Sequence, residues 1–441
     1  MENVMLRHLL RYQEIVSVLL RNGFGFLVFE YLALESKWTA AKPDLIQLGQ
    51  SIRQILGELG PVFIKIGQFA GTRPDIVPEP IIKELEKLQD KAPLVRFEDI
   101  RLVIEKELGA PIKKLFSEFD PAPLAAASIG QVHYAILHSG EPVVVKVQRL
   151  NITNVVQTDL EIIKDILTLI GRRFPKVQDY QLPNILREFS GWLEKELDYR
   201  IEGTNAEKIA GGIKKNPRVI IPHIYWDFTT RRVLTMAYID GVKLNDRQKT
   251  ATLNDRKKIA VNLSKALFLQ ILRGGCFHGD PHPGNIFVLS GGKIAFVDFG
   301  IVGNLNREMK SRFLNIICAL TRRNPKHLAK ALLELGAGPQ NIAQERLQGD
   351  LDRTVKKHLN VPVSQISFPE LVNDLWQLAF RHRIAIPADF ILLGKSLLTL
   401  EGLIYELDPS LSVAELVKQF RCLYLKERLF AFWEKKKWDL P

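Results

Sequence analysis

The sequence predicts an α+β chain in which a small β-rich part is followed by a large helical part. Strand-like runs separated by turns begin near residue 115 and end at Met236. Between the two parts lies the run His278-Gly279-Asp280-Pro281-His282-Pro283-Gly284-Asn285, which a short hairpin separates from Asp298-Phe299-Gly300. After residue 301 nearly the whole chain has helical periodicity, with helices predicted over 306–323, 326–335, 342–359, 369–382, 388–406 and 412–434.

The central motif carries two carboxylates and an amide on adjacent loops. Two apolar runs flank a Ser-Gly-Gly turn and predict a hairpin, which brings Asp298 back beside Asp280 and Asn285. Asn285 and Asp298 offer oxygen ligands suited to Mg²⁺, and Asp280 can orient an attacking hydroxyl. These are the parts that the protein-kinase fold uses for phosphoryl transfer. A capped turn is the alternative for Asp-Phe-Gly alone, and zinc is disfavoured because no Cys or Glu stands at zinc spacing from the histidines.

Composition bounds the class of protein. The 441 residues are 46% hydrophobic and 25% charged, which is ordinary for a globular chain. A net charge of +12 favours an anionic partner, and a membrane surface ranks above nucleic acid because no recognition-helix motif is present; a solvated basic surface is the alternative. The three cysteines are widely spaced, which indicates a reducing compartment. We find no signal peptide and no apolar run of about 18 or more residues.

The β-rich part contains a lysine on a buried strand. Strand-like runs flank the small-residue turn 124–131 and continue to Val143–Val147, where Lys146 needs a charged partner. We expect it to contact nucleotide phosphates and a helix carboxylate. A helical pattern over 182–209 places Glu196 and Glu202 on one face, although a solvated acidic face is the alternative. Further strands are predicted over 219–221, 225–227 and 232–236, with a hinge at 237–241 and a helix over 255–273 leading into the central motif.

The amino-terminal region is predicted to be helical. Residues 3–34 alternate apolar and basic groups, which suits either a membrane-surface helix or one packed on the protein. Further helices are predicted over 43–59, 79–92 and 98–108. Lys65 lies among apolar neighbours, and the simplest expectation is that its amine reaches solvent.

Together the motifs resemble the UbiB family of atypical kinases, also called ABC1 or aarF-domain proteins, over roughly residues 45–405. Lys65-Ile66-Gly67-Gln68 resembles the family's K-x-G-Q motif, and Ala125-Ala126-Ala127-Ser128 resembles its alanine-rich loop. Glu196-Leu197-Asp198 is similar to its E-x-D motif, and Gln157-Thr158-Asp159 to a further one. Lys146 matches the nucleotide lysine and Glu202 its helix glutamate.

The resemblance implies a protein-kinase-like two-lobed fold, with a β-rich N-lobe, a helical C-lobe and a helical extension carrying K-x-G-Q. The implied boundaries are 1–42 for amphipathic helices, 43–114 for the extension, 115–240 for the N-lobe and 241–441 for the C-lobe. Mg²⁺ with ATP or ADP would bind between the lobes. Asp280 would be catalytic, Asn285 and Asp298 would hold the metal, and Lys65, Gln68, Glu196 and Asp198 would be regulatory, with Lys65 contacting Glu196. The implied nucleotide-binding residues are Leu124, Ala125, Ala126, Ala127, Ser128, Ile129, Gly130, Gln131, Val132, Lys146, Glu202, Met236 and Tyr238.

The implied function is that of an ATPase supporting ubiquinone or related prenyl-lipid biosynthesis, with protein-kinase activity suppressed by the K-x-G-Q segment. Its expected partners are acidic membrane lipids and a quinone precursor or other prenyl lipid, not nucleic acid, and its expected location is cytoplasmic and peripheral on a membrane. Ala237 departs from the hinge glutamate of many relatives. The C-terminal anchor of many bacterial relatives has no counterpart before the Trp433–Trp438 end, and the sequence leaves the oligomeric state open. A small-molecule kinase of the aminoglycoside or choline type and a lipid-binding pseudokinase are the rival interpretations.

Overall fold

The computed structural model describes residues 2–23, 44–73, 77–88, 94–173, 182–214, 216–248, 252–336, 344–359, 367–382, 384 and 386–411. These residues belong to two compact units. The first comprises Met1–Gly203 and His223–Tyr238, and the second comprises Thr204–Pro222 and Ile239–Pro441. The chain passes from the first unit to the second after Tyr238, inside the predicted hinge. The four-part division of the chain at residues 42, 114 and 240 stays a prediction.

The first unit combines one antiparallel sheet with a set of helices. The sheet has the order β1-β2-β3-β5, where β1 is Phe116–Ala126, β2 is Gly130–Leu137, β3 is Pro142–Gln148 and β5 is Val233–Ala237. The helices are α1 (Glu2–Arg21), α2 (Leu45–Leu59), α3 (Pro61–Gly71), α4 (Glu79–Leu85), α5 (Phe97–Leu108), α6 (Ile112–Leu115), α7 (Ile152–Arg173), α8 (Leu182–Glu196) and α9 (Tyr199–Ile213), the last of which continues into the second unit.

Strand β3 shows why the sheet forms where it does. Val143, Val145 and Val147 alternate along the strand and are fully buried in a core shared with α5. Burying each such side chain contributes about 1.5–3 kcal/mol, so the alternation fixes which face of the strand points inward. The same alternation turns Lys146 to the opposite face of the sheet.

The second unit is mainly helical and contains two small sheets. One sheet has the order β4-β9-β8-β6 and the other pairs β10 with β7. The strands are β4 (Val219–Ile220), β6 (Val242–Lys243), β7 (Cys276–His278), β8 (Ile286–Val288), β9 (Ile294–Phe296) and β10 (Val302–Asn304). The helices are α10 (Leu244–Gln248), α11 (Leu253–Leu269), α12 (Arg307–Thr321), α13 (Pro325–Leu335), α14 (Gln344–Leu359), α15 (Phe368–Arg381) and α16 (Ala388–Leu407).

Most predicted elements are present, including the β8–β9 hairpin and the helices after residue 306. The α+β class is confirmed. Residues 24–43 and the predicted helix 412–434 lie outside the described residues, as do 89–92 of the helix predicted over 79–92. The described part of that helix ends at Leu85.

One helical prediction was wrong. Residues 182–209 do not form one helix, because the chain breaks at Leu197–Asp198 between α8 and α9. The Asp198 carboxylate accepts a hydrogen bond from the backbone N–H of Arg200 at 3.1 Å, so it caps the start of the second helix. The buried amide of Gln148 donates to the Leu197 carbonyl at 2.9 Å and anchors the break to the end of β3.

Predictions for three other segments also need correction. Residues 225–227 were predicted as a strand but enter a 3₁₀ turn, Trp226–Phe228, and only Ile224 bridges to Met236. The segment after Gly300 was expected to become helical almost at once, yet it first forms β10, which pairs with β7. The helix predicted over 255–273 ends as an α-helix at Leu269 and closes with a π-turn, Gln270–Gly274.

Candidate active site

Lys146 of β3 is held by a glutamate of α9. Its Nζ donates to both carboxylate oxygens of Glu202, at 2.8 and 2.9 Å, and lies 5.2 Å from the centroid of the Tyr199 ring. The side chains of Lys146 and Glu202 are only 15% and 7% exposed. A buried lysine is costly unless it is paired, and here the pairing is bidentate. The pairing is the one the resemblance implied, while the role in nucleotide binding stays a prediction.

Lys65 of α3 makes a second buried pair close to the same helix break. Its Nζ donates to Glu196 Oε1 at 3.3 Å and lies 5.6 Å from the Trp192 ring centroid. Only 8% of the Lys65 side chain and 10% of that of Glu196 are exposed, so the expectation that the amine reaches solvent was wrong. The break after α8 sends Glu196 and Glu202 to two different lysines, which one continuous helical face would not do.

The close packing around residue 67 explains why Lys-Ile-Gly-Gln has a glycine at that position. A Cβ atom at Gly67 would lie 2.2 Å from Leu88 Cδ1 and 2.9 Å from Leu56 Cδ1, so a larger residue would have to displace these two leucine side chains. Gln68, the next residue, is half-buried. Close packing at Gly67 therefore helps to position Lys65, two residues earlier in α3.

The carboxylate of Asp198 pairs with Arg200 rather than with Lys65. Its two carboxylate oxygens accept from the Arg200 guanidinium at 2.9 and 2.6 Å, and this hydrogen bonding lowers the pKa of Asp198. Its visible contacts are those of a helix cap with a surface ion pair. The regulatory role that the resemblance implies for Asp198 stays a prediction.

The alanine-rich turn joins β1 to β2. Ala127 N–H donates to the Gly130 carbonyl at 2.8 Å, and Arg149 secures the turn from outside, donating from its backbone to Ile129 O and from its side chain to Ala127 O. Ser128 is fully buried, and within the described part of the chain its hydroxyl has no hydrogen-bond partner. The role in nucleotide binding that the resemblance implies for Ser128 stays a prediction. The other turn residues, Leu124, Ala125, Ala126 and Val132, lie on the two flanking strands.

Other predicted nucleotide residues have contacts inside the first unit. The Gln131 side chain is fully buried, accepts from the backbone N–H of Val95 and contacts the His133 ring. Met236 is buried and pairs with Val144, whereas Tyr238 is 36% exposed and its backbone N–H donates to Pro142 O.

Asp280 follows β7 in a tightly supported loop of the second unit. Its backbone N–H donates to His278 Nδ1 at 3.2 Å, which leaves the imidazole proton of neutral His278 on Nε2. Burial lowers the pKa of His278, opposed by the carboxylates of Asp298 and Asp280, so this histidine is neutral near pH 7. A Cβ atom at Gly279 would lie 2.8 Å from side-chain atoms of Ile301 and Leu392, so only glycine fits between His278 and Asp280.

Asn285 and Asp298 are positioned by local turns and by hydrogen bonds to backbone groups. Asn285 ends a 3₁₀ turn and its Nδ2 donates to the Asp280 carbonyl at 3.4 Å, which turns its Oδ1 the other way. Val297 N–H donates to Asn285 O at 3.1 Å and so ties the strand end before Asp298 to the first loop. Asp298 Oδ1 accepts from Gly300 N–H at 2.9 Å. All three predicted chemical residues are half-buried.

The oxygen atoms of Asn285 and Asp298 suit Mg²⁺, which binds few protein groups, better than they suit a cation whose ligands all come from the protein. Across the described ranges, no three His, Cys, Asp or Glu side chains converge on one point. A cation held here would therefore use the amide oxygen of Asn285, a carboxylate oxygen of Asp298, water and phosphate oxygens. That is the usual coordination of Mg²⁺ in nucleotide sites.

Several supporting residues escaped the sequence prediction. The single hydroxyl proton of Ser396 in α16 is shared among three carbonyls, those of His278 and Gly279, each at 3.0 Å, and that of Leu392 at 2.9 Å. Asn205 Nδ2 donates to Phe299 O at 3.1 Å. The Gln270 side chain accepts from His278 N–H at 2.8 Å. No local pattern marks Ser396 or Asn205, because both act across long sequence separations. Tyr199, whose ring centroid lies 5.2 Å from Lys146 Nζ, was also missed, although it directly follows the Glu196-Leu197-Asp198 motif in the sequence.

Helix α1 packs on the first unit and also exposes apolar residues. Arg11 donates to both carboxylate oxygens of Asp159 in α7, at 2.7 and 2.9 Å, and Ile15 and Val18 are buried. The opposite side exposes Leu6, Leu9 and Leu10, each by more than half. Among the helices of the described ranges, none combines the length and apolarity needed to span a bilayer.

Comparisons with known proteins agree with these motifs. A model of the ABC1 atypical kinase-like domain matches residues 87–332, and a model of the UbiB helical domain matches residues 351–412. The Synechocystis protein sll1770 is 34% identical over 374 residues, which cover 84% of this chain but 63% of that protein. The probable protein kinase UbiB of Marinobacter nauticus is 32% identical over 402 residues, covering 90% of this chain and 73% of that protein.

A solved structure gives the same answer for the fold. Rv3197 from Mycobacterium tuberculosis, in complex with erythromycin, matches with a TM-score of 0.56 and 26% identity over 80% of this chain and 90% of that one. The predicted kinase-like fold is thereby confirmed. The chain belongs to the UbiB/ABC1 family of atypical kinase-like proteins.

Proposed function

We propose that this chain binds Mg-ATP and acts as an atypical kinase-like ATPase that supports ubiquinone or related prenyl-lipid biosynthesis at a membrane surface. The observation that carries this proposal is the buried Lys146–Glu202 pair, with distances of 2.8 and 2.9 Å. A strand lysine fixed by a helix glutamate is the arrangement with which kinases hold the α- and β-phosphates of a nucleotide.

The residues have distinct proposed roles. Lys146 holds nucleotide phosphates and Glu202 orients the lysine. Asn285 and Asp298 hold Mg²⁺, which when bound neutralises phosphate charge. Asp280 orients the attacking water or hydroxyl, and its loop is kept in place by His278. Positioning and charge neutralisation supply most of the rate enhancement in such a site.

The K-x-G-Q segment is proposed to suppress phosphorylation of proteins. The support is that α3 is rigidly seated, by the Lys65–Glu196 pair and by the close approach at Gly67. If so, Lys65→Met releases phosphate transfer from radiolabelled ATP to protein, and Lys83→Met, a change of the same kind at an exposed lysine, does not.

The membrane and lipid partners are also proposals. They are supported by the net charge of +12, by the exposed leucines of α1 and by similarity to a probable protein kinase named UbiB. Acidic lipid headgroups attract a basic surface, and exposed leucines add apolar contact with the membrane.

The test is ATP hydrolysis by the full chain, with and without acidic vesicles and a quinone-precursor phenol. We expect Asp280→Asn to lower kcat by about 100-fold or more, as loss of a proton-orienting group does, and Asp227→Asn at an exposed carboxylate to leave it unchanged. Hydrolysis that persists in Asp280→Asn contradicts the assignment. No hydrolysis by the unaltered chain under any of these conditions favours a lipid-binding pseudokinase instead.

A second candidate is phosphate transfer to a small-molecule alcohol. It is favoured by the structural relative solved with erythromycin, a molecule rich in hydroxyl groups. Incubation with radiolabelled ATP and a panel of aminoglycosides, choline and macrolides separates the two, because only this candidate yields a labelled small molecule.

A further inference from the structure

The peptide group between Phe299 and Gly300 is held at both of its polar ends, within the second unit. Its carbonyl, the Phe299 O atom, accepts a hydrogen bond at 3.1 Å from the side-chain amide of Asn205 in α9. Its N–H, on Gly300, donates to Asp298 Oδ1 at 2.9 Å. Asn205 and Phe299 are 7% and 0% exposed, so the first of these hydrogen bonds is buried. One peptide group therefore connects Asn205 to the carboxylate that is proposed to hold Mg²⁺.

The planarity of this peptide group makes its two hydrogen bonds depend on each other. The C=O and N–H of a trans peptide point in opposite directions within one plane, so fixing the carbonyl also fixes the direction of the N–H. The residue that follows is glycine, which adopts positive and negative φ about equally well. Without a Cβ atom at Gly300 the local backbone does little to prevent this peptide group from turning over. Its orientation is therefore left to hydrogen bonds such as the one from Asn205.

The opposite orientation of the peptide group would disturb Asp298. The Phe299 carbonyl would then face the side on which Asp298 Oδ1 now accepts a proton from Gly300. The carboxylate would lose a donor and meet the partial negative charge of an oxygen atom, so it would have to move away. Mg²⁺ requires its ligands at about 2.0–2.1 Å in near-ideal octahedral geometry. A displaced Asp298 carboxylate would therefore bind Mg²⁺ more weakly.

The backbone on either side of this peptide group is tied to other loops. Val297 N–H donates to Asn285 O at 3.1 Å, and Gly279 N–H donates to Ile301 O at 2.8 Å. These two hydrogen bonds hold the start and the end of a short stretch of chain. Neither sets the orientation of the peptide group in its middle, whereas the hydrogen bond from Asn205 does.

We propose that Asn205 is a positioning residue for Asp298, because its amide holds the Phe299–Gly300 peptide group in the orientation that directs the Asp298 carboxylate for Mg²⁺ binding. The effect on Mg²⁺ rests on the proposed function. The effect on the peptide group does not, since it involves only groups of this chain. Asn205 acts through the peptide group and is not itself a proposed metal ligand.

The chain offers a matched control in Asn262 of α11. Asn262 is 5% exposed, and its side-chain amide donates to Gly292 O at 2.8 Å. Like Asn205, it is a buried asparagine of the second unit that reaches a backbone carbonyl from a helix. Gly292 belongs to the turn of the β8–β9 hairpin and not to the Asp-Phe-Gly segment. Loss of either amide should destabilise the chain to a similar extent, but only loss of Asn205 should affect Asp298.

The first test is hydrogen exchange of the full chain without nucleotide or metal. Asn205→Asp keeps the shape of the side chain but removes the donor, and Asn205→Ala removes the donor without adding charge. Either change should speed exchange of the Gly300 amide about fivefold or more, as expected when one hydrogen bond no longer holds its peptide group. Asn262→Asp and Asn262→Ala should leave this amide unchanged within about twofold.

Thermal unfolding shows which variants are folded, and Asn205→Ala decides if Asn205→Asp is not. An unchanged Gly300 rate in a folded Asn205 variant overturns the proposal. A Gly300 amide that exchanges in the unaltered chain as fast as in an unstructured peptide also overturns it, and this result needs no variant.

The second test measures metal binding with Mn²⁺ in place of Mg²⁺, from the electron paramagnetic resonance signal of free Mn²⁺ at saturating ADP. Asn205→Ala should weaken Mn²⁺ binding about fivefold or more. Its affinity for metal-free ADP should stay unchanged, because Lys146 is untouched, and Asn262→Ala should alter neither affinity. Equal Mn²⁺ affinities of Asn205→Ala and Asn262→Ala refute the effect on the metal. No Mn²⁺ uptake by the unaltered chain contradicts the proposed function, and exchange at Gly300 then decides whether Asn205 fixes the peptide group.

Discussion

Replacing Lys65 by Met should destabilise the chain far more than replacing an exposed lysine. Lys65 Nζ lies 3.3 Å from Glu196 Oε1 and both side chains are at most 10% exposed. At an effective dielectric of about 20, this separation corresponds to an attraction of roughly 5 kcal/mol. Removing one partner leaves an uncompensated buried charge, for which about 3–5 kcal/mol is expected. Loss of the cation–π contact with Trp192 adds to this cost.

Double substitution separates the ion pair from the rest of the packing. In Lys65→Met/Glu196→Met both charges are gone, so we expect most of the lost stability to return and a coupling energy of about 2 kcal/mol or more. The control is Lys83→Met, which breaks the exposed pair with Glu79 and should cost at most about 0.5 kcal/mol. Urea unfolding with unchanged m-values is the assay. Single variants that each lose less than about 1 kcal/mol and whose effects add without coupling would show that Lys65 and Glu196 do not form a stabilising buried ion pair.

Three further predictions concern the turn, the catalytic loop and the helical region. Ala126→Gly should shift the ADP/ATP affinity ratio, measured by calorimetry, because it loosens the turn that Arg149 secures; an unchanged ratio counts against a role for the turn. Ser396→Ala removes the donor to His278 O and Gly279 O and should lower kcat about tenfold with little change in KM, in line with a lost hydrogen bond of about 1–1.5 kcal/mol; an unaltered kcat argues against this support. Helices α14 and α15 should lose stability below about pH 4. A hydrogen bond from His382 lowers the pKa of Asp350. Burial raises the pKa of Asp374, but hydrogen bonds from His358 and Lys357 oppose it and the net shift is downward. A carboxyl whose pKa is lower in the folded chain than in the unfolded chain contributes its full stability above the pKa of the unfolded chain. This stability is lost as the pH falls through the pKa of the folded chain. Acid unfolding followed by circular dichroism provides the check, and Asp374→Asn should flatten the transition.

The sequence was informative wherever a pattern is local. The hairpin after Asn285, the alternating valines of β3 and the long helices of the second unit follow from short-range periodicity. Lys146 could be recognised as needing a partner because charge on a buried strand is costly. The partner itself, Glu202, came from the family resemblance, because several acidic residues share that region.

The features that the sequence did not predict share one physical cause: each depends on contacts between residues that are far apart along the chain. The break at Leu197–Asp198 depends on Gln148, almost fifty residues earlier, so helical periodicity alone runs through it. Lys65 is buried because a glutamate 131 residues away meets it, which overrides the usual behaviour of a lysine stem. Strand β10 exists because β7 offers an edge, and Ser396 reaches the catalytic loop from a helix more than a hundred residues downstream.

The most direct test of the proposed nucleotide site is calorimetric titration of ATP, with and without Mg²⁺, into the full chain and two variants. We expect Lys146→Met and Asp298→Asn each to weaken Mg-ATP binding at least tenfold, and Asp298→Asn alone to abolish the difference that Mg²⁺ makes. The exposed control Asp227→Asn should bind as the unaltered chain does. Mg²⁺-dependent affinity that survives in Asp298→Asn would contradict the account.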